Sequence, residues 1–292
     1  MEIRVLRYFV AVVTERNISR AAEKLHISQP TISRQLKDLE AELGVTLFER
    51  GSRTIGLTSA GKYFFNQAKQ IISLSDKTIV NIQQSAELSG IVTIGSAEAS
   101  MMVTVAETVA ALKQKAPKVK VNLYSTDADE VTTKMDAGLF DFGVVMEPAD
   151  KENANFLTLP GSTQWGLLVR RDNPLTQQAT VSAADLQKQC LIMPQQTGNL
   201  SLFANWIGDS TASLEVISTY NLLYNASIMA ATGVGAVLCL DGIINTTGSN
   251  LTFIPLAPRL EAHASLIWSK STPLSAQADA FLKEFRQHLA SQ

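Results

Sequence analysis

SQPTISRQLKDLEAELG, residues Ser28 to Gly44, reads as a helix with two chemically distinct faces, and the rest of the chain is organised around it. Ser28 is a good N-cap, Pro30 is tolerated in a first turn whose amide hydrogens have no intrahelical partner, and Gly44 is a stop. Ile32, Leu36, Leu39 and Leu43 step by four, three and four into one apolar stripe, while Gln29, Pro30, Ser33, Arg34 and Lys37 share the opposite side. That side offers an amide, a hydroxyl, a guanidinium and an ammonium without an acid. These groups suit base edges and phosphates, and a helix N-terminus adds a dipole that favours phosphate. An amphipathic surface helix has the same pattern, so the flanking sequence decides.

Upstream, residues 2 to 14 predict a helix with Ile3, Leu6, Phe9, Val10 and Val13 on one side. Beyond Arg16-Asn17, Ser19 is the expected cap of a short second helix, where Ala21, Ala22 and Leu25 let another helix cross closely. His26-Ile27 then turns tightly into Ser28, with His26 expected to pack in the turn. Two short helices joined this way make a helix-turn-helix, the first lying across the DNA backbone and the second reading the major groove. Downstream, Val45, Leu47 and Phe48 lead into GSRTIGLT, where glycines 51 and 56 bracket Arg53. This predicts a two-stranded wing whose cationic tip reaches a phosphate or the minor groove, a solvated hairpin being the alternative.

Ile18-Ser19-Arg20-Ala21-Ala22 with Leu25, Ser28-Gln29-Pro30-Thr31-Ile32-Ser33, Leu39-Glu40, Leu43-Gly44, Leu47-Phe48-Glu49-Arg50 and Leu57-Thr58-Ser59-Ala60-Gly61 together resemble the winged helix-turn-helix of the LysR-type transcriptional regulators. The resemblance runs almost without gaps over about the first sixty residues. It implies that Ser28, Gln29, Pro30, Thr31, Ser33, Arg34 and Lys37 face double-stranded DNA and that Arg50 and Arg53 belong to the wing. Asn17 stands where this family more often has Ser. The resemblance further implies an imperfect palindromic operator, a homodimer or homotetramer, an unidentified small-molecule effector and RNA polymerase as a partner.

Thr58 is the expected cap of a long helix reaching about Leu88. Along it Phe64, Ala68, Ile71, Ser75, Ile79, Ile82 and Ala86 approach a heptad seam, irregular at Ser75. The expected role is a dimer-forming linker; a helix packed on its own body is the alternative. From Gly90 strands and helices alternate. Strands are expected at 91–96, 120–125, 142–146, 166–170, 191–193, 214–218, 235–240, 251–255 and 264–269, and helices at 102–115, 128–137, 183–188, 200–207, 222–232 and 276–289. This is two βα lobes, similar to the regulatory domain of the same family and to the type II periplasmic binding fold, with the last helix returning to the first lobe. The expected fold class is therefore α/β multidomain: a winged helix-turn-helix over 1–58, a linker helix over 59–89, and a two-lobed α/β periplasmic-binding-protein-like effector domain over 90–292. Lobe 1 covers about 90–161 and 265–292, and lobe 2 about 162–264.

Ligands of open α/β lobes sit at the carboxyl ends of strands. That rule nominates Ser100, Thr126, Gln195 and Thr197 as uncharged hydrogen-bonding groups for the effector. Glu98 and Glu147 either face the cleft, where they suit a cationic or hydroxyl-bearing ligand, or cap a helix or pair with a Lys. Trp165, Tyr220 and Trp268 either line the cleft or pack in cores and interfaces. Asp241, where the family usually has proline, is a cap or a cleft acid.

Composition limits the function classes. The 292 residues carry a net charge of −2, yet residues 1 to 58 hold nine Lys or Arg against seven acids, so the head is at +2 and the remainder at −4. No apolar run is long enough to cross a membrane, the N-terminus lacks a small-residue cleavage site, and Cys190 and Cys239 alone make no disulfide framework. A cytoplasmic protein is expected. His26, His263 and His288 fall in no metal-ligand or catalytic spacing, and Gly233-Val234-Gly235 enters a strand where a phosphate loop would leave one. The expectation is a regulator with no cofactor and no metal, not an enzyme.

Overall fold

The computed structural model describes residues 1–49, 55–82, 87–208 and 214–291, and the chain divides into two compact units, Met1–Gln83 and Gln84–Gln292. The first unit is helical: α1 (Ile3–Glu15), α2 (Ile18–Leu25), α3 (Gln29–Leu43) and α4 (Ser59–Ile82), with an antiparallel bridge between Phe48 and Leu57 at the root of the wing. Its core is built on Phe9, fully buried and ringed by Phe64 at 5.1 Å, Phe48 at 5.4 Å and Phe65 at 6.4 Å. Burying one such side chain contributes about 2–3 kcal/mol.

Three expectations about this unit change. The buried stripe of α1 is Val5, Leu6, Phe9 and Val12, while Ile3 is 43% exposed and Val10 and Val13 are half-buried. The stripe is turned on the helix surface because α4, α2 and α3 all pack against it. Ser19 does not cap α2; the Asn17 side chain does, accepting the Arg20 amide at 3.0 Å. Asn does at this position what Ser would, since both offer a short side-chain oxygen to the second or third amide. His26 is a backbone turn residue in the left-handed region (φ 55°), and its side chain is exposed instead of packed.

Thr58 caps α4, its hydroxyl accepting the Gly61 amide at 3.0 Å and donating to the Thr46 carbonyl at 2.8 Å. The helix divides along its length. Phe64, Phe65, Ala68 and Ile72 join the core around Phe9, as a helix packed on its own body would. Further on, Ile71, Leu74, Ile79, Val80 and Ile82 are exposed. The helix does not reach Leu88: Glu87 and Leu88 are not helical and Ser89 opens a strand, while Ala86 lies outside the described residues.

The second unit begins with β1 (Ser89–Ser96), α5 (Met102–Lys115), β2 (Lys118–Ser125), α6 (Ala128–Asp136), β3 (Phe142–Met146) and β4 (Ala154–Thr158). It continues through β5 (Thr163–Arg170), α7 (Ala183–Leu186), β6 (Cys190–Pro194), α8 (Thr197–Ile207), β7 (Glu215–Tyr220), α9 (Leu223–Ala231), β8 (Ala236–Leu240), β9 (Leu251–Pro255) and β10 (Glu261–Ala262), and ends with β11 (Ala264–Ser269) and α10 (Ala276–Ala290). One sheet runs β2-β1-β3-β11-β4, with β1, β2 and β3 parallel and β11 antiparallel to its neighbours. The other runs β10-β5-β8-β6-β7, with β9 paired to β5. The chain thus leaves the first sheet after β4 and returns to it through β11. Then α10 packs on α5 and β1, burying Phe281 and Phe285 among Phe142, Leu266 and Trp268. Strand β4 has no sequence-level signal, because an edge strand alternating in and out over only five residues looks like a loop.

Candidate functional site

Two regions carry functional geometry, one in each unit. In the first, α3 turns Ile32, Leu36 and Leu39 into the core and leaves Gln29, Pro30, Thr31, Arg34 and Lys37 exposed, with Ser33 half-buried. Ser28 spends its oxygen on the fold: it accepts the Thr31 amide at 3.3 Å, and the two hydroxyls lie 2.7 Å apart. Gln29 is steadied by Ser19 of α2, whose hydroxyl donates to Oε1 at 3.4 Å. The face is not free of acid. Asp38, one turn beyond Arg34, lies 3.9 Å from its Nε, a loose exposed pair worth no more than a few tenths of a kcal/mol. Arg34, with 84% of its side chain exposed, can exchange this partner for a base edge or phosphate at little cost. Arg50 and Arg53 lie outside the described residues.

The wing is anchored to α3 by a residue whose role the sequence did not reveal. Glu40 Oε1 accepts the backbone amides of Leu47 at 2.6 Å and Phe48 at 3.1 Å. The Glu49 amide then donates to the Gly56 carbonyl at 3.0 Å, closing the wing root. The end of α3 therefore positions the segment from Leu47 to Glu49. A signal was present: Glu40 sits on the polar flank of the apolar stripe, within reach of a strand with unpaired amides. Nothing in the spacing, however, says which amides it meets.

In the second unit a cavity of about 280 Å³ opens between the two sheets, at the carboxyl ends of β1, β2, β3, β6 and β8. Of the four predicted effector residues, Thr126 lines it. Its hydroxyl is bonded to Glu130, whose carboxyl the Lys134 ammonium first and then this hydroxyl hold below the usual range. Ser100 and Gln195 do not line the cavity. Ser100 packs against Gly242 across the lobes, where a Cβ on the glycine would come within 3.1 Å of the serine Cβ. Gln195 is exposed, its amide tied to the Tyr220 carbonyl at 2.9 Å, and its neighbour Gln196 faces the cavity instead. Side chains alternate in extended backbone, so within this loop the two neighbouring glutamines point to opposite sides. Of Thr197 only the backbone, opening α8, is described.

Both glutamates have structural partners. Glu98 lines the cavity and caps α9 from the other lobe, Oε2 accepting the Leu223 amide at 2.9 Å. Glu147 lies behind the cavity wall with Lys151, Ser265 and the Ala149 amide. Burial pushes its carboxyl up, but these three contacts outweigh it and hold the carboxyl below the usual range. Tyr220 and Trp165 line the cavity, whereas Trp268 is core, its ring 6.4 Å from Phe142. The Tyr220 hydroxyl donates to the Leu238 carbonyl at 2.9 Å, and burial pushes its pKa well up. Asp241 does not line the cavity; its amide and carbonyl pair with β5. Among the described residues no group of three His, Cys, Asp or Glu side chains could hold a metal, and no helix is long and apolar enough to cross a membrane.

Comparison with known proteins places both regions. Residues 3–62 match the model of the bacterial regulatory helix-turn-helix protein, lysR family, and residues 85–290 match that of the LysR substrate binding domain. The Hca operon transcriptional activator HcaR of Escherichia coli is 26% identical over 295 residues, covering 100% of this chain and 99% of its own. The HTH-type transcriptional regulator BenM of Acinetobacter baylyi is 33% identical over 181 residues, 61% of this chain and 58% of its own. Among solved structures, full-length CbnR complexed with its target DNA superposes with a TM-score of 0.74 at 23% identity, covering 99% of this chain and 100% of that one.

Proposed function

The chain belongs to the LysR family of bacterial transcriptional regulators, DNA-binding transcription factors with an effector-binding domain, and from that premise we propose how its own residues divide the work. The head, residues 1–58, presents α3 to the major groove. Gln29 and Arg34 read base edges, Pro30, Thr31 and Ser33 shape the close approach, Ser28 holds the first turn, and Lys37 with wing residues Arg50 and Arg53 meets phosphates. A small molecule occupies the cavity between the lobes and changes the geometry in which two heads, or four, meet an imperfect palindrome. Two chains pair through the exposed apolar stretch of α4 between Ile71 and Ile82. The protein works in the cytoplasm with RNA polymerase as a partner.

The observation that carries this reading is the split of α3: one face buries Ile32, Leu36 and Leu39, and the other presents an exposed amide, guanidinium and ammonium. A head of net +2 neutralises few phosphates, so one copy binds weakly and pairing supplies the rest. Footprinting purified full-length protein on the DNA flanking its own gene tests the proposal. Protection of two blocks one or two helical turns apart is expected; the absence of any protected region contradicts it.

A further inference from the structure

Among the described residues that line the interlobe cavity, the ionisable acids are Glu98, Asp127, Asp129 and Asp150, and no Lys, Arg or His is present. The positions of this unit outside the description, 84–86, 209–213 and 292, hold no basic residue, nor do positions 197–200. The places that would draw a ligand carboxylate are the N-termini of helices that start at the cavity, and two of them are already filled. Asp127 Oδ1 accepts the Glu130 amide at 2.9 Å at the start of α6, and Glu98 holds the Leu223 amide at the start of α9. A helix N-terminus carries about half a positive charge. Even with α8, which opens on Gln196 without a side-chain cap, the helix ends fall short of four carboxylates.

A second feature is independent of charge. The Trp165 ring lines the cavity at 4% exposure, and its Nε1 has no hydrogen-bond partner among the described residues. A buried donor without an acceptor carries the full desolvation penalty, which an oxygen on a ligand relieves. The indole, together with Leu240 and Ile243, also gives an apolar wall for the body of a ligand.

On the reading that this cavity is the effector site, we infer that the effector is a small amphipathic amine bearing a hydrogen-bond acceptor, and not a carboxylate. The ammonium faces Asp127 and Asp129, the apolar body lies against Trp165, and the acceptor takes the indole N–H. The cavity volume of about 280 Å³, just below the roughly 300–1,000 Å³ usual for ligand pockets, limits the ligand to about one ring and a short chain.

The test is isothermal titration calorimetry on the full chain with matched compounds of opposite charge: benzylamine against benzoate, and 2-amino-1-phenylethanol against mandelate, at concentrations up to the millimolar range. The amines are expected to bind and the acids not. Asp127→Asn keeps a capping oxygen and removes one charge, so it should weaken both amines roughly fivefold to tenfold. Trp165→Phe should weaken the amino alcohol more than benzylamine, and Asp172→Asn, on a remote surface, should change neither. Binding of an acid that strengthens in Asp127→Asn overturns the amine and leaves the cavity as the effector site. Amine binding unmoved by both Asp127→Asn and Trp165→Phe lies elsewhere and overturns the cavity reading as well. Failure of both amines to bind overturns the inference.

Discussion

Replacing Glu40 with Ala should separate the wing from the helix that reads DNA. Its carboxylate accepts two part-buried backbone amides, from Leu47 at 2.6 Å and Phe48 at 3.1 Å. Each hydrogen bond to a charged group contributes about 1.5–3 kcal/mol, and water can reach part of this site, so the local loss should be about 2–4 kcal/mol. Glu40→Gln keeps one acceptor oxygen and should lose about 1 kcal/mol. The consequence for DNA is specific. If Arg50 and Arg53 each neutralise a phosphate, releasing the wing removes both contacts, and the slope of log affinity against log salt should fall by about 2. Fluorescence anisotropy on operator and random duplexes over a salt series measures this, with hydrogen exchange of residues 45–49 and 55–58 reporting the wing root directly. Arg53→Ala alone should lower the slope by about 1, and Arg53→Ala in the Glu40→Ala background should add nothing. A Glu40→Ala protein with unchanged slope, or a double variant with additive losses, would refute the idea that α3 positions the wing through this carboxylate.

Other expectations follow from single contacts. Gly61→Ala would place a Cβ 2.0 Å from the Leu47 carbonyl oxygen, so it should destabilise the first unit by about 3 kcal/mol or more, seen as a lower urea midpoint for its unfolding. Asn17→Ala should cost about 1 kcal/mol through the lost cap of α2, and Asn17→Ser should stay within a few tenths, by the same measurement. Ile79→Glu with Ile82→Glu, at positions 47% and 69% exposed, should shift sedimentation towards the monomer without lowering helix content; an unchanged sedimentation coefficient excludes this stretch from the dimer. Folding holds the Glu147 carboxyl below its usual range, so the stabilisation it provides is complete above the ordinary carboxylate pKa and is lost as pH falls through the folded value. Thermal denaturation of Glu147→Gln should therefore show a Tm deficit that is full at pH 7, begins to narrow only below the ordinary carboxylate pKa of about 4.3, and closes as pH falls through the lower folded value.

Much of the fold is legible in the sequence. Helix α5 and strands β3, β9 and β11 begin and end where the pattern puts them, because strong apolar periodicity there is bounded by turn residues. The exposed polar face of α3 is legible for the same reason: burying Ile32, Leu36 and Leu39 turns the opposite side to solvent. The cavity was legible only to the level of loops. Strand ends locate it, but whether Gln195 or Gln196 faces inward depends on one residue of register, and Ser100 meets Gly242 only because the other lobe is there. Glu98 and Glu40 mark the same limit. Each satisfies amides 125 or 7 and 8 residues away, and no local pattern names a partner chosen by tertiary structure.

The central claim is that exposed groups on α3 distinguish one DNA sequence from another. The most direct measurement is the ratio of affinities for operator and random duplex, at one salt concentration, for the wild-type chain and for Gln29→Ala and Arg34→Ala. Each lost base contact should cut the ratio by roughly tenfold, about 1–3 kcal/mol, while affinity for random DNA changes little. Equal losses on both duplexes would make Gln29 and Arg34 phosphate contacts and contradict the account.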